Sequence, residues 1–382
     1  MPYNVLLTAM SLDLGGAETH VITLATELAR RGHRVVVASD GGRLVPRLGQ
    51  AGIPHFRVKL NSRNPLHIFN SVREIRELCS AHKVQLMHAH ARIPAWVCAR
   101  VSRRTGIPLV VTYHGVYASG FPWNLVTTPG RLTIAVSQDV KRHLIGRFGF
   151  DPASVIIIPN GIDTEQFKPA PRPLQFAKEL GVDPGSLVIV HVSRLQAQMA
   201  EVALNLIEAL HLLRSSLGRA VQLIIVGDGD GLLAVRQAAD RCNAQMGYKA
   251  ALILGGRTDT PTILQLADVF VGVARAAMEA MACGKPVVIA GEGGFGGVLT
   301  QDKMSEAELY NFTARGWGTS ITPEKLAHAI LEIAEPSRLE ELGKHGLLFI
   351  REHLTSEKTA DQVVQVYSQV LEAPTRRGHP SG

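Results

Sequence analysis

Along the first half of the chain, short runs of branched apolar residues alternate with longer segments in which apolar residues recur every three or four positions. The runs fall at residues 3–9, 34–39, 54–59, 84–88, 109–113, 132–136 and 155–158. Their length and β-branched content predict strands, and the periodicity between most of them predicts helices. Such alternation implies a parallel, doubly wound α/β sheet whose ligands lie outside the strand carboxyl ends. Near residues 163–187 the pattern breaks. Ile158-Pro159-Asn160-Gly161-Ile162-Asp163 closes the series, and Phe167-Lys168-Pro169-Ala170-Pro171-Arg172-Pro173 reads as an extended, proline-stiffened connector. A second series follows, with strands at 187–192, 221–226, 251–254, 269–273 and 287–289 and helices at 203–213, 233–243 and 275–283. Helical patterns then occupy 323–334, 337–352 and 356–371. Two Rossmann-like doubly wound domains result, expected at 1–165 and 187–354 with a linker over 166–186, a final helix over 355–372 and a disordered tail over 373–382.

The second series is organised around residues 269–290, VFVGVARAAMEAMACGKPVVIA. This β-α-β unit points a helix N-terminus at the carboxyl edge of the sheet, where unpaired backbone N–H groups and the helix dipole favour a phosphate or carboxylate. Arg275 sits in the first turn, where a cation costs roughly 0.3–1 kcal/mol against the dipole. Its placement there implies an anion supplied from outside the chain. Glu279 stands at i+4 and shares its face.

At the start of the chain Leu14-Gly15-Gly16-Ala17-Glu18 separates a strand from a helix running to Arg31, so backbone can approach a ligand without interference from a Cβ. The Gly-x-Gly-x-x-Gly dinucleotide fingerprint is absent, which disfavours a nicotinamide cofactor. His88 and His90 end one strand at i, i+2. With no carboxylate or cysteine close in sequence to complete a ligand set, they read as structural histidines. His114 falls where a buried strand opens onto Gly115, at the edge expected to bind ligand, and suits a structural or a functional role equally.

Composition narrows the class. At 382 residues, 46% hydrophobic, the chain is long enough for two cores and has no apolar run that would span a bilayer. MPYNVLLTAMS lacks the basic flank of a signal peptide, so a cytoplasmic location is expected, or a peripheral one on the inner face of the membrane. Cys79, Cys98, Cys242 and Cys283 have no metal-ligand spacing and read as reduced, buried thiols. A net charge of +7 suits anionic ligands or an anionic membrane surface, and no zinc finger or RNA-recognition signature points to nucleic acid.

Six motifs, in order and spread over nearly the whole chain, carry a resemblance. They are Gly15-Gly16-Ala17-Glu18-Thr19-His20, Thr112-Tyr113-His114-Gly115, Pro159-Asn160-Gly161-Ile162-Asp163, Val192-Ser193-Arg194-Leu195, Val226-Gly227-Asp228-Gly229, and the stretch from Glu279 through Lys285-Pro286-Val287. Together they resemble retaining glycosyltransferase family 4, of the two-Rossmann-domain GT-B fold. The resemblance implies a nucleotide-sugar donor, UDP- or GDP-linked, held mainly by the second domain, and a first domain that serves a hydroxyl acceptor, including a lipid-linked one. It further implies a final helix that crosses back to the first domain, and no metal or other cofactor. Gly16 and Arg194 are implied near the diphosphate, Glu279 on the ribose and His114 near the transferred sugar. The catalytic candidates are thus His114 and Arg194, and the donor-binding candidates Gly15, Gly16, Arg194, Arg257, Arg275, Ala276 and Glu279.

Two departures from the family pattern stand out. The usual lysine five residues after Arg194 is Met199, and the usual glutamate eight residues before Glu279 is Val271. Loss of one preorganised stabiliser commonly costs about 10²–10³ in kcat. Arg275 is the expected compensation, its guanidinium able to grip two phosphate oxygens. The expected function is transfer of a hexose or N-acetylhexosamine in cell-envelope or glycan biosynthesis. The alternatives are a degenerate GT-B protein that binds nucleotide sugar or a partner without turnover, and a GT-B sugar-nucleotide epimerase.

Overall fold

The computed structural model describes residues 2–196 and 199–372. The tail expected over 373–382 lies outside the described residues. The chain divides into two compact units, Met1–Gly161 with Ser356–Gly382, and Ile162–Thr355.

In the first unit the elements run β1 (Asn4–Thr8), α1 (Gly16–Arg30), β2 (Arg34–Ser39), α2 (Val45–Gln50), β3 (His55–Arg57), α3 (Pro65–Ala81), β4 (Leu86–His90), α4 (Arg92–Thr105), β5 (Leu109–Tyr113), α5 (Trp123–Val126), β6 (Leu132–Ala135), α6 (Gln138–Phe148) and β7 (Val155–Ile157). The strands pair in the order β3-β2-β1-β4-β5-β6-β7, every pair parallel. Strand order reverses between β1 and β4, and a crevice opens at such a switch point outside the strand ends. The fourth strand begins two residues later than its apolar run suggests. Lys83 takes a φ of 50° on leaving α3, and Val84 N–H donates to the Cys79 carbonyl (2.9 Å), so the turn consumes the start of the run. Both His88 and His90 therefore belong to β4.

The second unit holds α7 (Leu174–Leu180), β8 (Leu187–Val192), α8 (Ala200–Leu217), β9 (Val221–Val226), α9 (Leu232–Met246), β10 (Ala251–Gly255), α10 (Thr260–Leu266), β11 (Val269–Gly272), α11 (Ala274–Ala282), β12 (Val287–Gly291), β13 (Gly294–Val298), α12 (Met304–Leu309), α13 (Pro323–Glu332) and α14 (Pro336–His353). Its sheet runs β10-β9-β8-β11-β12-β13, with the reversal between β8 and β11. Two features differ from the sequence reading. The sheet is mixed, because β13 pairs antiparallel with β12. The glycines of β13 are assigned no element from sequence; a Cβ on Gly296 would come within 2.9 Å of the Trp317 ring, so the bare strand is what admits the indole. The segment 166–186 is also no free connector. Phe167, Ala177 and Val182 are buried in the second core, and Arg172 pairs with Asp268 at 2.8 Å.

Both sheets are apolar on both faces, as fully covered parallel strands require. In the first unit one face is covered by α1, α2 and α15 (Ser356–Glu372), with Val363, Val366, Tyr367 and Val370 packed into a cluster that includes Val21, Leu24 and Leu28. The final helix thus returns to the first unit, as the resemblance implies. Polar contacts fix its seating. The Arg31 guanidinium pairs with Asp361 (2.9 Å) and donates to the Glu357 carbonyl (2.9 Å), and Thr359 Oγ1 donates to the Pro159 carbonyl (3.1 Å). Deeper in, Tyr367 Oη lies 2.7 Å from His88 Nδ1, while His88 Nε2 lies 2.7 Å from Thr112 Oγ1. The buried phenol and imidazole thereby satisfy each other, which offsets the cost of burying either.

The second core holds a comparable group in His191, fully buried in β8, with Nδ1 2.8 Å from the Val271 carbonyl and Nε2 2.9 Å from Ser193 Oγ. Burial lowers its pKa from 6.5 to about 4, opposed only in part by the hydrogen bond to Val271. An unfolded chain takes up the proton near pH 6.5, whereas the folded one takes it near pH 4. Between these values the unfolded state binds more protons, so stability is full above pH 6.5 and falls as the pH drops. The expected slope from this group is at most about 1.4 kcal/mol per pH unit. Urea unfolding followed by Trp317 fluorescence, with Trp96→Phe and Trp123→Phe in place, should show that slope between pH 6 and pH 4.5 and a shallower one in His191→Gln. An unchanged slope in the variant would show that His191 does not carry it.

Candidate functional site

At the first switch point β1 passes through a loop to Gly15, the N-cap of α1, and Gly16 is the first helical residue. Neither glycine puts a side chain over the helix end. Glu18 folds back toward it, its Oε2 buried without a hydrogen-bond partner and close enough to overlap any Cβ on Gly15. On the other side of the switch point β4 ends at His90, and β5 ends at Tyr113 with His114 following. His90 Nδ1 and His114 Nε2 are 3.0 Å apart. His20, from the first turns of α1, sets its ring edge-on to His114 at 4.9 Å between centroids and 5.6 Å from His90. Burial holds His90 neutral, well below the usual imidazole range, and the neighbouring His88, His114 and His20 add to that. Its Nε2 is buried with no hydrogen-bond partner.

Of the three histidines only His114 is a site candidate in sequence, beside the Gly15 and Gly16 backbone, and His90 reads there as structural. His20 and His90 are additions, and the signal for them is joint. A histidine in the first turns after β1 and a histidine ending β4 converge once the strand order makes β1, β4 and β5 neighbours. Arg92 is a second addition. It opens α4, donates to the Ala118 carbonyl, and lies over the Tyr117, Trp123 and Phe148 rings at 4.8, 5.3 and 5.4 Å. Three aromatic faces stabilise a cation that the helix dipole disfavours, and together they brace the segment that follows His114.

At the second switch point β8 leads into Ser193-Arg194. The Arg194 side chain is exposed and has neither hydrogen bond nor ion pair among the described residues. Its backbone is held by the turn after β9. Leu195 N–H donates to the Asp228 carbonyl (3.0 Å) and Gly231 N–H to the Leu195 carbonyl (2.7 Å). A Cβ on Gly227 would overlap the Ser193 carbonyl oxygen, and one on Gly229 would come within 2.5 Å of the Leu195 carbonyl oxygen. The Gly227-to-Gly231 turn is therefore the clamp that positions the Arg194 loop.

The strand beside β8 is β11, and it hands over to α11 through Ala274, which adopts a φ of 53° and donates its N–H to the Phe312 carbonyl (2.9 Å). A left-handed alanine costs about 1–2 kcal/mol, a strain of the kind found at functional sites. Arg275 follows in the first turn. It is only 5% exposed, with Nε donating to Glu279 Oε1 at 2.8 Å, and Glu279 is itself buried. Ala276 is half-buried on the same turn. Arg257 stands apart. It follows β10, two strands from β8, and its fork grips both carboxylate oxygens of Asp259 (2.8 and 2.5 Å), which raises the arginine pKa and lowers that of Asp259. Of the family departures, Met199 lies at the N-cap of α8, whereas Val271 is fully buried inside β11. A side chain at position 271 faces the core, so that position does not present a group at the sheet edge.

Comparison with known proteins fits this geometry. A model of Glycosyltransferase Family 4 matches residues 14–166, and one of Glycosyl transferases group 1 matches residues 186–336, so the two cover both switch points. The chain belongs to glycosyltransferase family 4. Among its relatives, a D-inositol 3-phosphate glycosyltransferase of Segniliparus rotundus is 25% identical over 94% of this chain and 85% of its own length. An Escherichia coli enzyme named UDP-Gal:alpha-D-GlcNAc-diphosphoundecaprenol alpha-1,3-galactosyltransferase is 28% identical over 57% of this chain and 61% of its own. Among solved structures, a glycosyltransferase from Rickettsia africae superposes with a TM-score of 0.79 at 21% identity, covering 98% of this chain and all of that one. The Anabaena protein HepE, solved with UDP and glucose, gives 0.77 at 23% identity, covering 96% and 99%. The fold is GT-B, and the protein is a glycosyltransferase that uses nucleotide sugars.

For this glycosyltransferase the Gly227 clamp has a direct test. Gly227→Ala forces the added methyl into the Ser193 carbonyl, and overpacking of this kind costs about 1–3 kcal/mol. A fall in the thermal midpoint of the second unit is expected, whereas Asp228→Ala, which keeps the backbone, should stay near wild type. Equal midpoints for Gly227→Ala and wild type would show that the loop can yield.

Proposed function

We propose that the enzyme transfers a hexose or N-acetylhexosamine from a UDP-linked donor to a hydroxyl acceptor with retention of anomeric configuration and without a divalent metal. The observation that carries this reading is that Arg194 and Arg275 leave adjacent strands, β8 and β11, at the switch point of the second sheet. The helix N-terminus of α11 and the exposed Arg194 suit a diphosphate, whose charge grows as the bond to the sugar C1 breaks and the electron pair passes to the phosphate oxygen. In a retaining transfer the acceptor hydroxyl attacks C1 on the face the diphosphate leaves, and its proton passes to the departing phosphate oxygen. Glu279, oriented by Arg275, is assigned to the ribose hydroxyls, Gly15, Gly16 and Ala276 to backbone contact with the donor, and His114 to the transferred sugar. Arg257 has its fork on Asp259, so its part in donor binding requires that pair to open. Support for UDP comes from the fold neighbour solved with that nucleotide.

The acceptor is proposed to be lipid-linked, in cell-envelope or polysaccharide biosynthesis, as the name of the Escherichia coli relative suggests. No helix among the described residues is long and apolar enough to cross a membrane. On the first unit Leu66, Phe69, Phe121 and Leu125 are exposed, and Arg63 lies 4.5 Å over the Trp123 ring. Exposed apolar side chains beside cations suit peripheral contact with anionic lipid on the inner face, each cation adding about 1 kcal/mol.

The donor reading is tested with a panel of nucleoside diphosphates and nucleotide sugars. UDP at about 100 times its Kd should stabilise the protein by about 2.7 kcal/mol, and donor alone should hydrolyse slowly. Arg194→Ala and Arg275→Ala should each lose UDP affinity, with Arg275→Lys intermediate. Wild-type affinity in Arg275→Ala alongside loss in Arg194→Ala would end the compensation argument. Donor binding with no hydrolysis or transfer would favour a degenerate binder. For the membrane contact, vesicles of anionic lipid should co-sediment more protein than neutral ones, and Phe121→Ser/Leu125→Ser should reduce the difference. Equal sedimentation on both lipids would remove the idea.

A further inference from the structure

We propose that His20, His90 and His114 form a binding site for one divalent cation of the zinc class. One ring nitrogen from each histidine lies within 4.8 Å of the others. Metal-to-imidazole bonds of about 2.0–2.1 Å in a tetrahedron place the ligand nitrogens about 3.3–3.4 Å apart. The His90–His114 pair, at 3.0 Å, is close to that spacing already. The three residues come from α1, from the end of β4 and from just beyond β5; β4 pairs with β5 and with β1, the strand that leads into α1, so the cluster is organised before any ligand arrives.

His90 is 2% exposed and its Nε2 makes no hydrogen bond, so no protein group on that side ties the ring to one tautomer, and Nδ1 can serve as a ligand. A three-nitrogen set selects zinc, cobalt, nickel or copper over magnesium or calcium, which prefer oxygen. His90 Nδ1 and His114 Nε2 can approach to 3.0 Å only with a proton between them. A cation takes the place of that proton when the neutral His90 ring shifts to its Nε2–H tautomer, so that both facing nitrogens become ligands and the ring charges do not change. Water or a substrate hydroxyl completes the coordination. Resting on the assignment of His114 to the transferred sugar, the cation holds that imidazole away from the donor, and the site is an inhibitory one in an enzyme that needs no metal to turn over.

Cobalt(II) is the probe, added to the untagged full-length chain. One equivalent should bind with the visible absorption of a tetrahedral ion and be displaced by zinc. His20→Ala should weaken binding by more than about tenfold. His20→Cys should keep it and add a sulfur-to-cobalt charge-transfer band. Absence of stoichiometric binding to the wild-type chain overturns the site, as does equal affinity in a folded His20→Ala. Should that variant fail to fold, the wild-type titration and the His20→Cys band decide. Donor hydrolysis, where present, should be inhibited by one equivalent of zinc and restored by a chelator. Turnover indifferent to bound zinc overturns the inhibitory role while the site stands, and binding without any turnover overturns the transferase reading alone.

Discussion

A parallel sheet sends every strand out at the same edge, and that constraint governs both units. Each strand must give way there to a helix, so backbone turns crowd together, and helix N-termini with unpaired N–H groups point outward beside them. The strand order decides which turns become neighbours. In the first unit it sets the glycine turn after β1 beside the ends of β4 and β5, and three imidazoles meet. In the second it sets the loop after β8 beside the start of α11, and two arginines leave adjacent strands. Neither set is a sequence neighbourhood.

Crowding at the edge leaves small tolerances. The Arg194 loop is gripped by the turn after β9 so tightly that only glycine fits at Gly227 and Gly229. Ala274 accepts an unfavourable φ so that α11 can start where it does. Arg275 and Glu279, a buried pair one turn apart, keep two charges oriented at that helix start. A buried ion pair is a poor source of stability. Here it keeps a guanidinium and a carboxylate in fixed positions at the start of α11.

Much of this was legible from residue order. Branched apolar runs and helical periodicity gave most strand and helix positions, because both signals are local. The return of the final helix was implied by family resemblance and agreed with its unpartnered apolar face at Val363, Val366, Tyr367 and Val370. What stayed hidden depended on distant partners. His20 lies 70 residues from His90 in sequence, and only sheet order joins them. The glycines of β13 carry no strand signal of their own, and Trp317 is what packs against them. Arg257 looked available for a ligand until Asp259 was seen in its fork. Val271 looked like a lost ligand contact because spacing was counted from Glu279 without knowing where β11 ends.

The seating of α15 on the first unit bears on how the protein is made. A growing chain ordinarily lets its N-terminal domain fold first as it leaves the ribosome. Here one face of the first sheet lacks part of its cover until residues 356–372 have been synthesised. The second unit, contiguous in sequence, is finished earlier. The cover of the first unit is thus completed only after the chain of the second has been made. Until Tyr367 is made, the nascent chain carries an open apolar face and a His88 whose Nδ1 lacks its partner.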